Sequence, residues 1–230
     1  MNLFYALPND VQQSEIIIRD QEALHITKVL RFKNGDLIHV TDGHGNLYHC
    51  EIRNLQKSQV TLSIVDKKTE LRSDPFITLC IGNIKKRDRM EFAVEKATEL
   101  GVDRIIIFNA DHSQKENIRK DRIHSTVLSA MKQSGRLFLP DIIIEESLKG
   151  VLHHHNGEQL LMTDETTDTL PNKNLDGRPL FIMVGPEGGY SQNERKILKE
   201  KKALPISLGN KRLRTETAAI IVIDRFKTPL

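Results

Sequence analysis

Cysteine is scarce in this chain. Cys50 and Cys80 lie far apart with no Cys-x-x-Cys spacing, so neither a zinc-ribbon pattern nor a disulfide framework is expected. Such sparing use suits a reducing compartment and predicts a cytoplasmic location. No apolar run approaches the roughly 20 residues that cross a bilayer, so no membrane partner is expected. The start, Met1-Asn2-Leu3-Phe4-Tyr5-Ala6, lacks a basic region followed by an apolar core, and no signal peptide is expected. Neither Gly-x-x-x-x-Gly-Lys-Ser/Thr nor Gly-x-Gly-x-x-Gly is present, which excludes the usual phosphate-binding fingerprints. A large charge of one sign is also missing. With 34 Lys+Arg against 31 Asp+Glu the net charge is +3, so any surface for a polyanion has to be local. His153-His154-His155 has no carboxylate or cysteine pattern beside it and reads as an exposed loop rather than a metal site.

The 230 residues, 38% hydrophobic and 28% charged, suffice for one large or two small domains. Residues 1–72 read as a small β-rich unit. Short strands are expected at Ile16–Ile18, Leu37–Val40, Leu47–Ile52 and Val60–Val65, with turns at Asn34-Gly35, Asp42-Gly43 and Gly45-Asn46 and a helix over about Asp20–Leu30. Close spacing of short strands suggests a barrel. Ser73-Asp74-Pro75 marks a boundary, because proline lacks a donor and restrains its predecessor. Residues 73–230 then alternate strands (from Phe76, Arg104, Ile142, Leu160, Leu180 and Ile206) with helices (Asp88–Leu100, about Asn117–Ser134, and from Thr215). That alternation predicts an α/β domain with a mostly parallel sheet, whose ligands bind beyond the strand carboxyl ends.

Two glycine-bearing bends stand out at such ends. Leu180-Phe181-Ile182-Met183-Val184 runs into Gly185-Pro186-Glu187-Gly188-Gly189-Tyr190, and Ser191-Gln192-Asn193-Glu194 then forms a capping box. Ile206-Ser207-Leu208 runs into Gly209-Asn210-Lys211-Arg212-Leu213-Arg214, followed by a helix from Thr215. Each bend taken alone also reads as an ordinary strand-to-helix turn. The densest basic run, Lys85-Lys86-Arg87-Asp88-Arg89, lies on another strand-to-helix connection. It reads either as a solvated helix start or as a contact for a phosphate backbone.

The pair Gly185-Pro186-Glu187-Gly188-Gly189 and Leu208-Gly209 with Leu213-Arg214-Thr215-Glu216-Thr217-Ala218 resembles the SPOUT methyltransferases, and within them the ribosomal RNA small subunit methyltransferase E family. Lys96-Ala97-Thr98-Glu99-Leu100-Gly101, Gln133-Ser134-Gly135-Arg136 with Pro140, and His25, Val29, Leu30 and Arg31 with Gly35-Asp36 extend the resemblance over nearly the whole chain. The chain departs from the pattern at Asn210, Lys211 and Arg212, where the family usually has a proline, an arginine and an apolar residue. It departs again at Ile123, where the family often has tryptophan.

The resemblance implies a PUA-like RNA-binding β-barrel over 1–72 and a SPOUT domain with a C-terminal trefoil knot over 73–230. It implies methylation of a uridine N3 in 16S ribosomal RNA with S-adenosyl-L-methionine as cofactor. Partners would be the ribosomal RNA or small subunit and a second copy of the chain, packed through a last helix that is apolar nearly all round. Cofactor contacts fall on Leu161, Met162 and Thr163, on Val184, Gly185, Pro186, Glu187, Gly188 and Gly189, and on Leu208, Gly209, Asn210, Leu213, Thr217 and Ala218. Arg214 takes the catalytic role, because its guanidinium makes paired hydrogen bonds to an O–C–N edge or a phosphate. Arg31, Lys85, Lys86, Arg87, Arg89, Arg136, Lys211 and Arg212 are the RNA-binding candidates. Glu187 faces either the ligand or its own turn, and Glu216 is either a partner of Arg214 or a surface charge. Two alternatives stay open at this level: a non-catalytic RNA-binding or ribosome-assembly protein, and a SPOUT enzyme acting on another RNA position.

Overall fold

The computed structural model describes residues 2–72, 74–113, 118–170 and 178–227. Ser73 and the expected helix start at Asn117 lie outside the described residues. The chain divides into two compact units, Met1–Arg72 with Met131–Leu139, and Ser73–Ala130 with Pro140–Leu230.

In the first unit, β1 (Leu3–Tyr5), β2 (Glu15–Arg19), β3 (Leu37–Thr41), β4 (Asn46–Leu55) and β5 (Gln59–Thr69) form one sheet in the order β1-β3-β4-β5-β2. Inward positions alternate along the strands, with Ile16 and Ile18, Ile38 and Val40, Tyr48, Cys50 and Ile52, and Val60 and Leu62 all buried. With Phe4 they meet in a single core, which a sheet achieves by curling on itself. β1 was not expected from sequence; its three residues are too few to show a period. The expected helix is α1 (Asp20–Leu24) continued by a π-helical turn, His25–Val29. Met131–Leu139 joins this unit because Gly45 N–H bonds to Leu137 C=O (2.9 Å) and Leu139 N–H to Gly43 C=O (2.9 Å). Arg72 also lies over the Phe138 ring at 4.6 Å.

In the second unit, β6 (Ile77–Gly82), β7 (Arg104–Phe108), β8 (Asp141–Glu145), β9 (Gln159–Thr163), β10 (Leu180–Val184) and β11 (Leu204–Ile206) form a wholly parallel sheet in the order β11-β9-β10-β6-β7-β8. β6 and β10 are buried at every residue, as parallel strands covered on both faces are. On one face, α4 (Leu148–His153) and α5 (Gln192–Glu200) press Leu148, Val151 and Leu198 onto Cys80, Ile106, Phe181 and Met183. α2 (Arg87–Glu99) packs against α6 (Thr215–Lys227), which also covers β6 and β10. α3 (Lys120–Ser134) precedes β8.

The expectation that His153-His154-His155 is an exposed loop holds in part: His153 is exposed at the end of α4, and His154 and His155 follow it outside the helix but half-buried. His154 Nε2 lies 2.6 Å from Glu145 Oε1, and His155 stacks edge-on to Phe181. Six residues are too few for a helical period to declare itself. At the far end of α6, Lys227 Nζ meets the buried carboxylate of Asp103 at 3.2 Å, fixing the helix to the start of β7.

β6 and β10 are neighbours whose onward connections run in opposite directions, to β7 and to β11. Crevices at such reversals lie beyond the strand carboxyl ends. After β11, the loop at 208–214 lines the same cavity as the ends of β9 and β10, and α6 then packs beside α2.

Candidate active site

A cavity of about 320 Å³ opens at that edge. Its walls are the end of β9 (Thr163, then Asp164 and Glu165), the end of β10 with its turn (Val184 to Glu187, Gly189 and Tyr190), Arg195 of α5, the loop after β11, and the first turn of α6. The two glycine-bearing bends, distant in sequence, therefore face one space. Its size falls within the range of small-molecule sites.

The first bend is held from all sides. Gly189 N–H closes the turn on Pro186 C=O at 2.8 Å. A Cβ on Gly82 would lie 2.5 Å from Pro186 N, so only glycine lets the end of β6 approach this closely. Ser191 and Glu194 form the expected capping box, with Ser191 Oγ accepting from Glu194 N–H and the Glu194 carboxylate accepting from Ser191 N–H. Glu194 is buried and also accepts from Asp111 N–H at 3.0 Å, while Ser191 Oγ donates to Asp111 at 2.5 Å. Tyr190 is buried with its hydroxyl unpartnered among the described residues, and burial pushes that phenol well above its ordinary pKa.

Gly188 departs from expectation. It does not line the cavity; a Cβ there would meet His112 Cβ at 2.8 Å, and His112 Nδ1 lies 3.1 Å from Gly188 C=O. Glu187 lines the cavity, with its carboxylate 3.4 Å from Lys85 N–H and 3.9 Å from Arg89 Nη1.

The second bend is tied at its base and open at its tip. Arg225 donates to the carbonyls of Ser207 (3.3 Å) and Leu208 (3.1 Å), and Gly209 takes φ +127°, a region that glycine alone enters freely. Arg212 reaches Glu165 at 3.5 Å and Glu187 C=O at 3.4 Å. Lys211 and Arg214 are exposed cavity residues with no ion pair among the described residues.

Asp164 sits between the bends. Burial drives its carboxyl pKa up, but hydrogen bonds from Thr166 N–H (3.0 Å) and the Arg195 guanidinium (2.6 Å) outweigh that and hold it below the usual range.

Of the sequence-predicted cofactor residues, Thr163, Val184, Gly185, Pro186, Glu187, Gly189, Leu208, Gly209, Leu213 and Ala218 line the cavity, as does Arg214. Leu161, Met162, Asn210 and Thr217 do not. Leu161 and Met162 are buried within the sheet, since β9 lies between β10 and β11 with both faces covered. Among the RNA-binding candidates, Lys211 and Arg212 line the cavity, while Lys85, Lys86 and Arg87 are exposed beyond β6. Arg31, exposed at φ +56°, and Arg136, half-buried, belong to the first unit.

Arg89 is engaged internally, 3.5 Å from Glu216 Oε1 as well as near Glu187. Glu216 is thus neither a partner of Arg214 nor a surface charge: it is 6% exposed, it pairs with Arg89, and its Oε2 has no partner among the described residues. Asp164, Glu165, Tyr190, Arg195 and Thr215 line the cavity without having been expected as cofactor, catalytic or RNA-binding residues. Adjacency to Thr163 and to the glycine turn was the available signal for the first three.

Residues 72–227 match the family described as RNA methyltransferase domain, and residues 18–65 match the RNA methyltransferase PUA domain. Ribosomal RNA small subunit methyltransferase E of Rickettsia conorii is 28% identical over 232 residues, covering 98% of this chain and 95% of that protein. Its namesake in Aquifex aeolicus is also 28% identical, covering 97% and 98%. A probable rRNA-methyltransferase from Porphyromonas gingivalis superposes with a TM-score of 0.86 at 30% identity, covering 98% of this chain and 96% of that one. Ribosomal RNA small subunit methyltransferase E of Neisseria gonorrhoeae, solved bound to S-adenosyl methionine, superposes with a TM-score of 0.86 at 27% identity and the same coverage.

Proposed function

This chain belongs to the RNA methyltransferase family, with that family's PUA domain in its N-terminal part, and from that premise we propose that it is an S-adenosylmethionine-dependent methyltransferase acting on N3 of a uridine in 16S ribosomal RNA. The observation that carries this reading is the meeting of both glycine-bearing bends around one cavity of about 320 Å³ with an unpaired guanidinium, Arg214, at its edge.

The lining fits the cofactor. Val184, Pro186, Leu208 and Leu213 offer an apolar wall, and the backbone of the two bends offers N–H and C=O groups to a base and a ribose. The Tyr190 ring packs against Gly185 and adds to that wall. Asp164 and Glu165 bring carboxylates to the cavity beside their partners Arg195 and Arg212, and a carboxylate near a sulfonium is electrostatically favourable. When bound, S-adenosylmethionine supplies an electrophilic methyl group on that sulfonium.

The protein's remaining task concerns the acceptor. Uracil N3 attacks only after giving its proton to solvent, the S–C bond breaks as the N3–C bond forms, and the negative charge of the anion is shared by N3 and its two flanking carbonyl oxygens. Arg214 stabilises that charge by donating to one of the carbonyl oxygens that flank N3, in the way pre-aimed donors stabilise developing oxyanions, and leaves the N3 lone pair free to attack. Positioning N3 against the methyl group supplies a further large share of the rate. The same reading includes a homodimer packed through α6, where Ile220, Ile221 and Phe226 are only half-buried. Sedimentation at micromolar concentration tests this: a dimer is expected, and a monomer removes it.

The decisive assay incubates the protein with S-adenosylmethionine and small-subunit ribosomal RNA, free and assembled, and analyses the nucleosides by mass spectrometry. 3-Methyluridine is the expected product. A different methylated nucleoside overturns the acceptor position. Absence of cofactor binding by calorimetry overturns catalysis and favours a non-catalytic RNA-binding role.

A further inference from the structure

The second unit holds a smaller depression, about 30 Å³, between the starts of α2 and α3. Its floor is Ile84, Met90 and Ile123, all buried, and its rim carries Asn83, the Glu91 carboxylate and three guanidinia, those of Arg87, Arg119 and Arg122. We propose that this depression is a phosphodiester subsite that grips the substrate RNA beside the methyl-acceptor nucleotide. The proposal rests on the RNA methyltransferase reading and adds the place where backbone phosphate is held.

Charge is the first argument. Residues 85–91 and 118–124 together hold seven cations (Lys85, Lys86, Arg87, Arg89, Arg119, Lys120 and Arg122) and three carboxylates (Asp88, Glu91 and Asp121), whereas the entire chain nets only +3. Of these seven, Arg87, Arg119 and Arg122 line the depression, whereas Arg89 is turned to Glu187 and Glu216. Partnering is the second. Arg122 reaches Glu91 at 3.4 Å, whereas Arg87 and Arg119 have no ion pair among the described residues. Guanidinia from two helices turned to one spot repel one another unless an anion joins them, and a phosphate oxygen pair matches their fork geometry.

Size and position narrow the ligand. A space of about 30 Å³ admits phosphate oxygens but not a base, so the contact holds backbone and reads no sequence. Asn83 and Arg87 belong to the segment after β6, which also carries Lys85. Gly82 abuts Pro186, and Lys85 N–H approaches Glu187, so one short segment borders both the depression and the large cavity. A strand gripped at the first lies within reach of the second.

The test measures binding of protein-free small-subunit ribosomal RNA between about 50 and 200 mM salt for wild type, Arg119→Gln and the double variant Arg87→Gln/Arg119→Gln. Each lost phosphate contact to single-stranded RNA lowers the slope of log affinity against log salt by about 0.7. The double variant should therefore lose about 0.7 to 1.4 from that slope and bind about tenfold more weakly at low salt. Its KM for RNA should rise, with kcat, S-adenosylmethionine affinity and melting temperature unchanged. Arg119→Lys should restore much of the slope, because the charge remains. An unchanged slope in the double variant overturns the subsite, even if the wild type methylates RNA normally. Conversely, a wild type that binds RNA with the expected slope but transfers no methyl group overturns the proposed activity and leaves the subsite standing.

Discussion

The two bends that wall the large cavity are built alike in sequence and held very differently. The first, 185–191, is fixed by its own turn, by contact with Gly82, by the capping box and by the 110–113 segment bonded to Glu194, Ser191 and Gly188. The second, 207–214, is anchored at its base by Arg225 and held at its tip through Arg212 alone, with Lys211 and Arg214 in no ion pair among the described residues. A wall with no freedom suits a small cofactor of constant shape, because pre-organisation removes the cost of ordering. A wall that presents Lys211 and Arg214 to the opening suits a large anion that arrives and leaves. Arg89 links the two, touching Glu187 of the first bend and the buried Glu216 beside the second.

This contrast can be broken in steps. Arg89→Ala should have the largest effect: it leaves Glu216 buried without its cation, a change that costs about 3–5 kcal/mol. Thermal or denaturant melting reads it, and a loss under about 1 kcal/mol would mean that the link is incidental. Arg214→Ala comes next, with kcat/KM for RNA falling about 100-fold, the scale of a lost charge-stabilising donor. Calorimetric affinity for S-adenosylmethionine should stay unchanged, and full turnover in this variant would remove the arginine from the chemistry. Ser191→Ala removes one cap at a cost of about 1 kcal/mol. Cofactor affinity should drop in parallel because the first bend loosens; a loss of stability alone would separate cap from cavity.

The smallest expected effect is that of pH. The Asp164 carboxyl is held below its usual range, so its contribution to folding is present above the ordinary carboxylate pKa of about 4 and is lost only as pH falls through the lower folded value. Tyr190, raised well above 10, stays neutral on the alkaline side. Cofactor affinity should therefore be flat from about pH 5 to 9. A midpoint near neutrality would point to a different titrating group.

Much of this arrangement was legible in the sequence, and the remainder has physical reasons for being hidden. The capping box at Ser191, the buried strand before it and the two glycine bends follow from local rules, and so did the prediction of a parallel sheet. Arg89 with Glu216, and Asp111 with Ser191 and Glu194, are pairings between residues far apart in the chain, and no local period announces them. Met131–Leu139 joins the first unit through backbone bonds, which leave no mark on residue type. Leu161 and Met162 were expected at the cavity because their strand ends there, yet on an interior strand both successive side chains face packed layers. Asp164, one residue further, is where the chain leaves the sheet and a polar group becomes free to point into the opening.

Hydrogen exchange read by mass spectrometry, with and without saturating S-adenosylmethionine, tests the shared cavity most directly. Slowed exchange confined to peptides covering 185–191 and 207–215 is the predicted result. Protection in only one of these segments, or in neither while the ligand is bound, would contradict it.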